Sequence, residues 1–194
     1  QYVNMNVSID ENNVANVSIG GVFAVDGLHY KQFKVEREND QLRFVTEDDG
    51  IRSSISGGSL NAILEMHNKE LPEQLNTLDN LATTIMESVN SLHAQGTTIT
   101  DPAISGVNFF TKYEAGKLEI NQDIIDDPYY IAISEDGTSG NNNIALKIAE
   151  LQTEELIQGK TLSENYSELI SNIGNEINLQ QQNAESYAIV LTQL

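Results

Sequence analysis

The stretch from Ser59 to Gln95, SLNAILEMHNKELPEQLNTLDNLATTIMESVNSLHAQ, decides the fold. Its apolar residues Leu60, Leu64, Leu71, Leu75, Leu78, Ala82, Ile85, Val89 and Leu92 recur at steps of three and four, with one gap at His67. That is the seam of a heptad-patterned helix. Ser59, behind Gly57-Gly58, offers a hydroxyl to cap the first turn, and Gly96 suits the exit. As one helix the stretch spans ~55 Å at ~1.5 Å per residue. Two successive steps of four meet at Leu71, beside Pro72, and predict a slight bend or a shifted seam there.

Before this helix the pattern changes period. Val3, Met5, Val7 and Ile9 alternate with polar residues and predict a half-buried strand, followed by a turn at residues 10–13 and a return strand over Val14–Ile19. Val22–Val25 leads into Asp26-Gly27, a hairpin signal, and strands resume through Leu28–Val35 and Leu42–Thr46. Residues 1–50 therefore read as one antiparallel meander with one wet face.

Beyond the helix, Thr97–Ser105 is polar loop, and Val107-Asn108-Phe109-Phe110 is an apolar anchor that docks on the helix. Lys117–Ile120 and Tyr129–Ser134 read as strands around an acidic loop at Asp123–Pro128. Glu135–Asn143 is a turn-rich connector. Asn143 is placed to cap a helix over Ile144–Gln158, and Gly159 ends it. A last helix starts near Thr161 or Ser163. Its seam has two heptad rows, Ile170, Ile177, Ala184 and Leu191 in one and Tyr166, Ile173, Gln180, Tyr187 and Leu194 in the other, and meets no stop signal, so the coiled pattern is expected to continue past Leu194. The expected class is α+β: an elongated bundle of long heptad-patterned helices with an antiparallel β-rich lobe. The lobe is residues 1–57, the helical rod 58–95 with 141–194, and the connecting segment with short strands 96–140.

Ten basic against 29 acidic residues give a net charge of -19, which repels nucleic acid and anionic membrane. No run of ~20 apolar residues is present to span a bilayer. There is no cysteine, hence no disulfide, thiolate metal site or thiol nucleophile. His29, His67 and His93 show no metal-ligand spacing, and His67, in the seam, reads as a packing histidine. The acidic loops at Asp123, Asp126 and Asp127 and at Glu135 and Asp136 do not fit a calcium-loop pattern and read as solvated turns. Gly57-Gly58-Ser59 lacks the remainder of a phosphate loop, and no Gly-x-Ser-x-Gly elbow occurs. Asn6, Asn16 and Asn165 match a glycosylation triplet short enough to arise by chance. No enzymatic activity, cofactor or metal is expected. What the helices carry is surplus apolar surface, which suits an assembling subunit.

The segment Gly57 to Glu65, then Leu71-Pro72, Leu75 to Asp79 and Val89-Asn90-Ser91-Leu92-His93-Ala94-Gln95-Gly96, resembles the flagellar hook-associated protein 1 family, the hook–filament junction proteins. Asn108 to Thr111, Ile131 to Ser134, the Gly140 to Asn143 turn, Ala145-Leu146 with Leu151-Gln152, and Tyr166 to Gly174 follow in the same order. The resemblance implies a structural subunit of the bacterial flagellum, outside the cell, exported by the flagellar type III apparatus. It implies as partners the hook protein and other hook-associated proteins, a homo-oligomeric ring at full length, and terminal regions that this chain lacks. The isolated chain is expected to be monomeric. Two departures stand out: many members carry a large outer domain where this chain has only residues 111–130, and Asn141 stands where aspartate is common. Two rival readings are a secreted adhesin or host-interaction module using the acidic β lobe, and a hydrolase with an acidic cleft.

Overall fold

The computed structural model describes residues 2–11 and 13–192, with side chains described through residue 185. The fold is mixed α+β, helices with antiparallel sheets, and divides into two compact units, Gln1–Leu75 and Asn76–Leu194.

In the first unit, β1 (Asn6–Ile9), β2 (Ala15–Ile19), β3 (Val22–Asp26) and β4 (His29–Tyr30) form a four-stranded sheet in sequence order, and β5 (Phe33–Glu38) pairs with β6 (Gln41–Thr46) as a separate hairpin. The expected single meander is thus two sheets. The break falls at residues 31–32: the Lys31 N–H still donates to Ala24 O at 2.9 Å, whereas Gln32 O already accepts from the Glu47 N–H at 2.8 Å. Val7, Val17, Val25 and Tyr30 lie in one cross-strand row, as the alternation requires. Phe33 stacks on Phe44 at 5.0 Å. Val45, Thr46 and Ser53 are buried. The Ser53 hydroxyl donates to Ile19 O at 2.6 Å, joining the segment after the hairpin to the larger sheet.

The long helix is present as α1 (Ser59–Glu65), a π turn (Met66–Glu70) and α2 (Leu71–His93), and the boundary between the units falls within α2. The π turn lies at the gap in the seam and just before Pro72. In a regular α-helix the Pro72 ring would meet the carbonyl of Asn68, and the wider turn relieves that clash. The turn also presents Asn68 to the hairpin. Its Oδ1 accepts from the Leu42 N–H and its Nδ2 donates to Leu42 O, both at 2.7 Å. Ser59 does not cap α1, contrary to expectation. The N-cap is Gly58, without a side-chain bond, and the Leu60 N–H donates instead to Tyr2 O at 3.0 Å. Gly58, at φ 83°, marks a close approach of two backbones, since a Cβ there would stand 2.5 Å from Tyr2 O.

In the second unit, β7 (Phe110–Glu114) pairs with β8 (Lys117–Ile120), followed by α3 (Gln122–Asp126), a 3-10 turn (Pro128–Tyr130), α4 (Asn143–Glu150) and α5 (Leu162–Thr192). Four expectations are corrected here. The apolar anchor continues into a strand at Phe110, and the acidic loop contains a short helix capped by Asn121, whose Oδ1 accepts from the Asp123 N–H at 3.1 Å. Tyr129–Ser134 is not a strand. Finally, α4 stops at Glu150 rather than Gln158, where the Thr153 hydroxyl donates to Glu150 O at 3.0 Å and draws that carbonyl out of the helix ladder. The start of α5 is a capping box: Thr161 Oγ1 accepts from the Glu164 N–H at 3.2 Å, and the Glu164 carboxylate accepts from the Thr161 N–H at 2.8 Å. Ile124, Ala132, Ile144, Leu151 and Leu169 are the buried apolar side chains of this unit among the described residues.

Candidate functional site

The best-defined constellation is at the C-terminal end of α2, where Asn90, His93 and Gly96 follow one another at steps of three. That spacing sets Asn90 and His93 on one helix face. Each grips main chain from far along the sequence. Asn90 Oδ1 accepts from the Phe110 N–H and its Nδ2 donates to Phe110 O, both at 2.8 Å, so the side-chain amide pairs with the start of β7 as another strand would.

His93 is completely buried. Its Nδ1 lies 2.6 Å from Val107 O and its Nε2 2.9 Å from the Ala132 N. A carbonyl only accepts and an amide N–H only donates, so the ring is neutral with its proton on Nδ1. The Phe109 ring meets it edge-on at 5.5 Å. Gly96 is pressed against the same partner: a Cβ there would stand 2.0 Å from Ala132 O. One residue on, the Thr97 N–H donates to Ser134 O at 2.7 Å. One helix end thus holds two separate stretches of chain, 107–110 and 131–134. On the outer side the Tyr113 hydroxyl donates to Asp79 of α2, which holds that phenol above its ordinary pKa.

The loop from Ser134 to α4 is ordered by carboxylates. Asp136 Oδ1 accepts from the Thr138 hydroxyl at 2.7 Å, the Thr138 N–H at 3.0 Å, the Ser134 hydroxyl at 3.1 Å and Asn141 Nδ2 at 3.0 Å. These bonds, Thr138's first, favour the ionised form and hold Asp136 at about 2. Glu135 is lowered by its bonds from Lys147 at 2.5 Å and from Asn143 at 2.8 Å. Asn141 Oδ1 accepts from the Asn143 N–H at 3.1 Å without a charge.

The sign of the Asp136 effect follows from linkage. A carboxyl depressed in the folded state contributes stability above its unfolded pKa, about 3.9, that is lost as pH falls through the folded value. Asp136→Asn is expected to lower the urea midpoint at neutral pH, with the gap to the unaltered chain closing between about pH 4 and pH 2. Urea titrations of both chains across that range provide the check. A gap unchanged at pH 2 would count against the assignment.

Of the other sequence-predicted residues, Leu60, Leu64, Ile85, Val89, Leu92 and Ile173 are half-buried, and Leu71, Leu75, Leu78, Tyr166, Ile170 and Ile177 are exposed. Tyr187 and Leu191 lie outside the residues whose side chains are described, and Leu194 outside the described residues altogether. His67 is half-buried, with Nδ1 3.2 Å from Asn68 Oδ1. Reading His93 as one of three scattered histidines missed the constellation. The signal available was the Asn-x-x-His-x-x-Gly spacing itself, closing a helix just before a polar loop.

Among the described residues no group of three or more His, Asp or Glu side chains is placed to hold a metal ion, and no helix is long and apolar enough to cross a membrane. Both His93 nitrogens are committed to main chain, out of reach of solvent. The arrangement organises chain, one helix end holding distant stretches of main chain in place. No curated protein matches the chain. A family model described as "Flagellar hook-associated protein FlgK helical domain" matches residues 1–110, more than half of the 194. The chain belongs to the FlgK family of flagellar hook-associated proteins, a structural family of the bacterial flagellum concerned with motility and flagellum assembly.

Proposed function

We propose that the chain is part of a hook–filament junction subunit, which joins hook to filament in the extracellular flagellum and assembles through packing of its long helices. The observation that carries this reading is the family match over residues 1–110, whose last turn of helix is the Asn90–His93–Gly96 constellation. The exposed seam residues Leu71, Leu75, Leu78, Tyr166, Ile170 and Ile177 supply apolar surface that helix packing between subunits would cover. In this reading the hook protein and other hook-associated proteins are neighbours, and the full-length protein closes into a ring. The isolated chain stays monomeric, with its -19 charge opposing self-association. Residues 58–95 with 141–194 form the packing rod, residues 1–57 the β lobe, and 96–140 the connection. Export through the flagellar apparatus accounts for delivery to the cell exterior.

Deleting the gene is expected to leave hooks without filaments in electron micrographs, with filaments restored by the intact gene. Intact flagella accompanied by lost surface attachment would overturn the junction reading in favour of an adhesin.

A further inference from the structure

β1 is an outer strand of the four-stranded sheet, and all four of its residues are exposed. The Asp10 N–H donates to Val14 O at 3.0 Å, and the register pairs Ser8 with Asn16 and Asn6 with Ser18. Bonded pairs alternate along an antiparallel ladder. Asn6 and Ser8 therefore turn their N–H and C=O groups to β2, whereas those of Val7 and Ile9 point away from the sheet. Among the described residues these four outward groups have no partner. The strand is held extended from both ends: Asn4 exchanges two bonds with Ser56, at 2.9 and 3.3 Å, and beyond Ile9 the chain closes its turn onto Val14. Residues 1–9 contain no charge and no proline, and the pairing of β1 has no bulge. The β5–β6 hairpin of the same unit is by contrast guarded by Lys34, Glu36, Arg37, Glu38 and Arg43.

We infer that an extended, basic-ended segment of a partner protein adds to this edge as a fifth strand, bonded to the main chain of Val7 and Ile9. Val7 and Ile9, 56% and 69% exposed, stand on the face of the Val17, Val25 and Tyr30 row, with Asn6 and Ser8 on the other face. The incoming strand therefore alternates: β-branched or aromatic beside Val7 and Ile9, polar beside Asn6 and Ser8. Its charge follows from the sheet. Residues 1–30 hold three carboxylates, Asp10, Glu11 and Asp26, and no Lys or Arg, and two of the three directly follow β1. A strand ending in Lys or Arg beside Asp10 and Glu11 complements them. A second copy of β1 would bring the same carboxylates and no cation. The contact is independent of which two polymers the subunit joins.

The test titrates the 194-residue chain at low salt with a capped peptide of alternating threonine and valine ending in two lysines, following the backbone amides by NMR. Binding is expected to slow hydrogen exchange at the Val7 and Ile9 N–H about tenfold or more, with little change at Asn6 and Ser8, which are already bonded. Val7→Pro removes one outward N–H and no ladder bond, so it is expected to keep the sheet and to bind about tenfold more weakly. Where Val7→Pro does not fold, the same peptide N-methylated along its threonine–valine run is offered to the unaltered chain, and binding is expected to be lost. A glutamate-ended peptide is expected to bind more weakly than the lysine-ended one, the gap closing as salt is raised. Undiminished binding after either change, equal binding of the glutamate-ended peptide, or no binding would each overturn the inference. So would a dimer in sedimentation that Val7→Pro dissociates, which assigns the edge to a second copy.

Discussion

Gly96→Ala is expected to cost the second unit about 3 kcal/mol or more of stability, read as a shifted urea midpoint and lost amide dispersion for residues 93–134. The new methyl would stand 2.0 Å from Ala132 O, 2.8 Å from Ala132 C and 3.1 Å from His93 O. All three are main-chain atoms, with the Ala132 N–H bonded to His93 Nε2 and His93 O accepting from the Gly96 N–H, so no side chain can swing aside. The backbone of Gly96 is not left-handed, and alanine is free to adopt it. Close approach is therefore the whole cause. Gly174→Ala supplies the contrasting control: it lies within α5 with open space around it and is expected to stabilise by about 0.5–1 kcal/mol. Equal tolerance of both substitutions would show that residues 131–134 do not sit against the helix end.

The second large effect is expected at His93. His93→Ala opens a cavity in a completely buried place and strands two polar groups, a loss of about 3–5 kcal/mol. His93→Phe separates these causes. A phenyl ring fills the space and keeps an edge for Phe109, but leaves the Val107 carbonyl and the Ala132 N–H unpaired, a loss of about 2–4 kcal/mol. Faster hydrogen exchange at the Ala132 amide in both variants locates the damage. A His93→Phe chain as stable as the unaltered one would show that filling volume suffices and the bonds do not matter. His93 and Gly96 both act on Ala132, so their losses should not add.

Much of the fold was legible because it rests on local periodicity. The alternation around Val7 and Val17, the Asp26-Gly27 turn and the run of threes and fours from Leu60 to Leu92 each carry their own signal. What escaped reading depends on distant main chain. Ile131 to Ser134 has the composition of a strand, but its backbone groups go elsewhere: the Ala132 N–H to His93, Ile133 O to the Ile144 N–H, and Ser134 O to the Thr97 N–H. The Asn90–His93–Gly96 constellation was hidden for the same reason. Its partners are peptide groups, present at every position, so no complementary residue pattern marks Val107, Phe110 or Ala132. The cap of α1 was misread because Tyr2 O, more than fifty residues earlier, does what Ser59 was expected to do.

That a single imidazole holds both Val107 and Ala132 makes the chain between them a pendant whose ends lie side by side, tied to the same helix again at Phe110 and Tyr113. Lengthening such a pendant adds only about 0.6 kcal/mol of closure entropy per doubling, and nothing at the point of attachment has to move. The helix end therefore works as a socket, fixing in one place where this segment leaves the helical frame and where it returns.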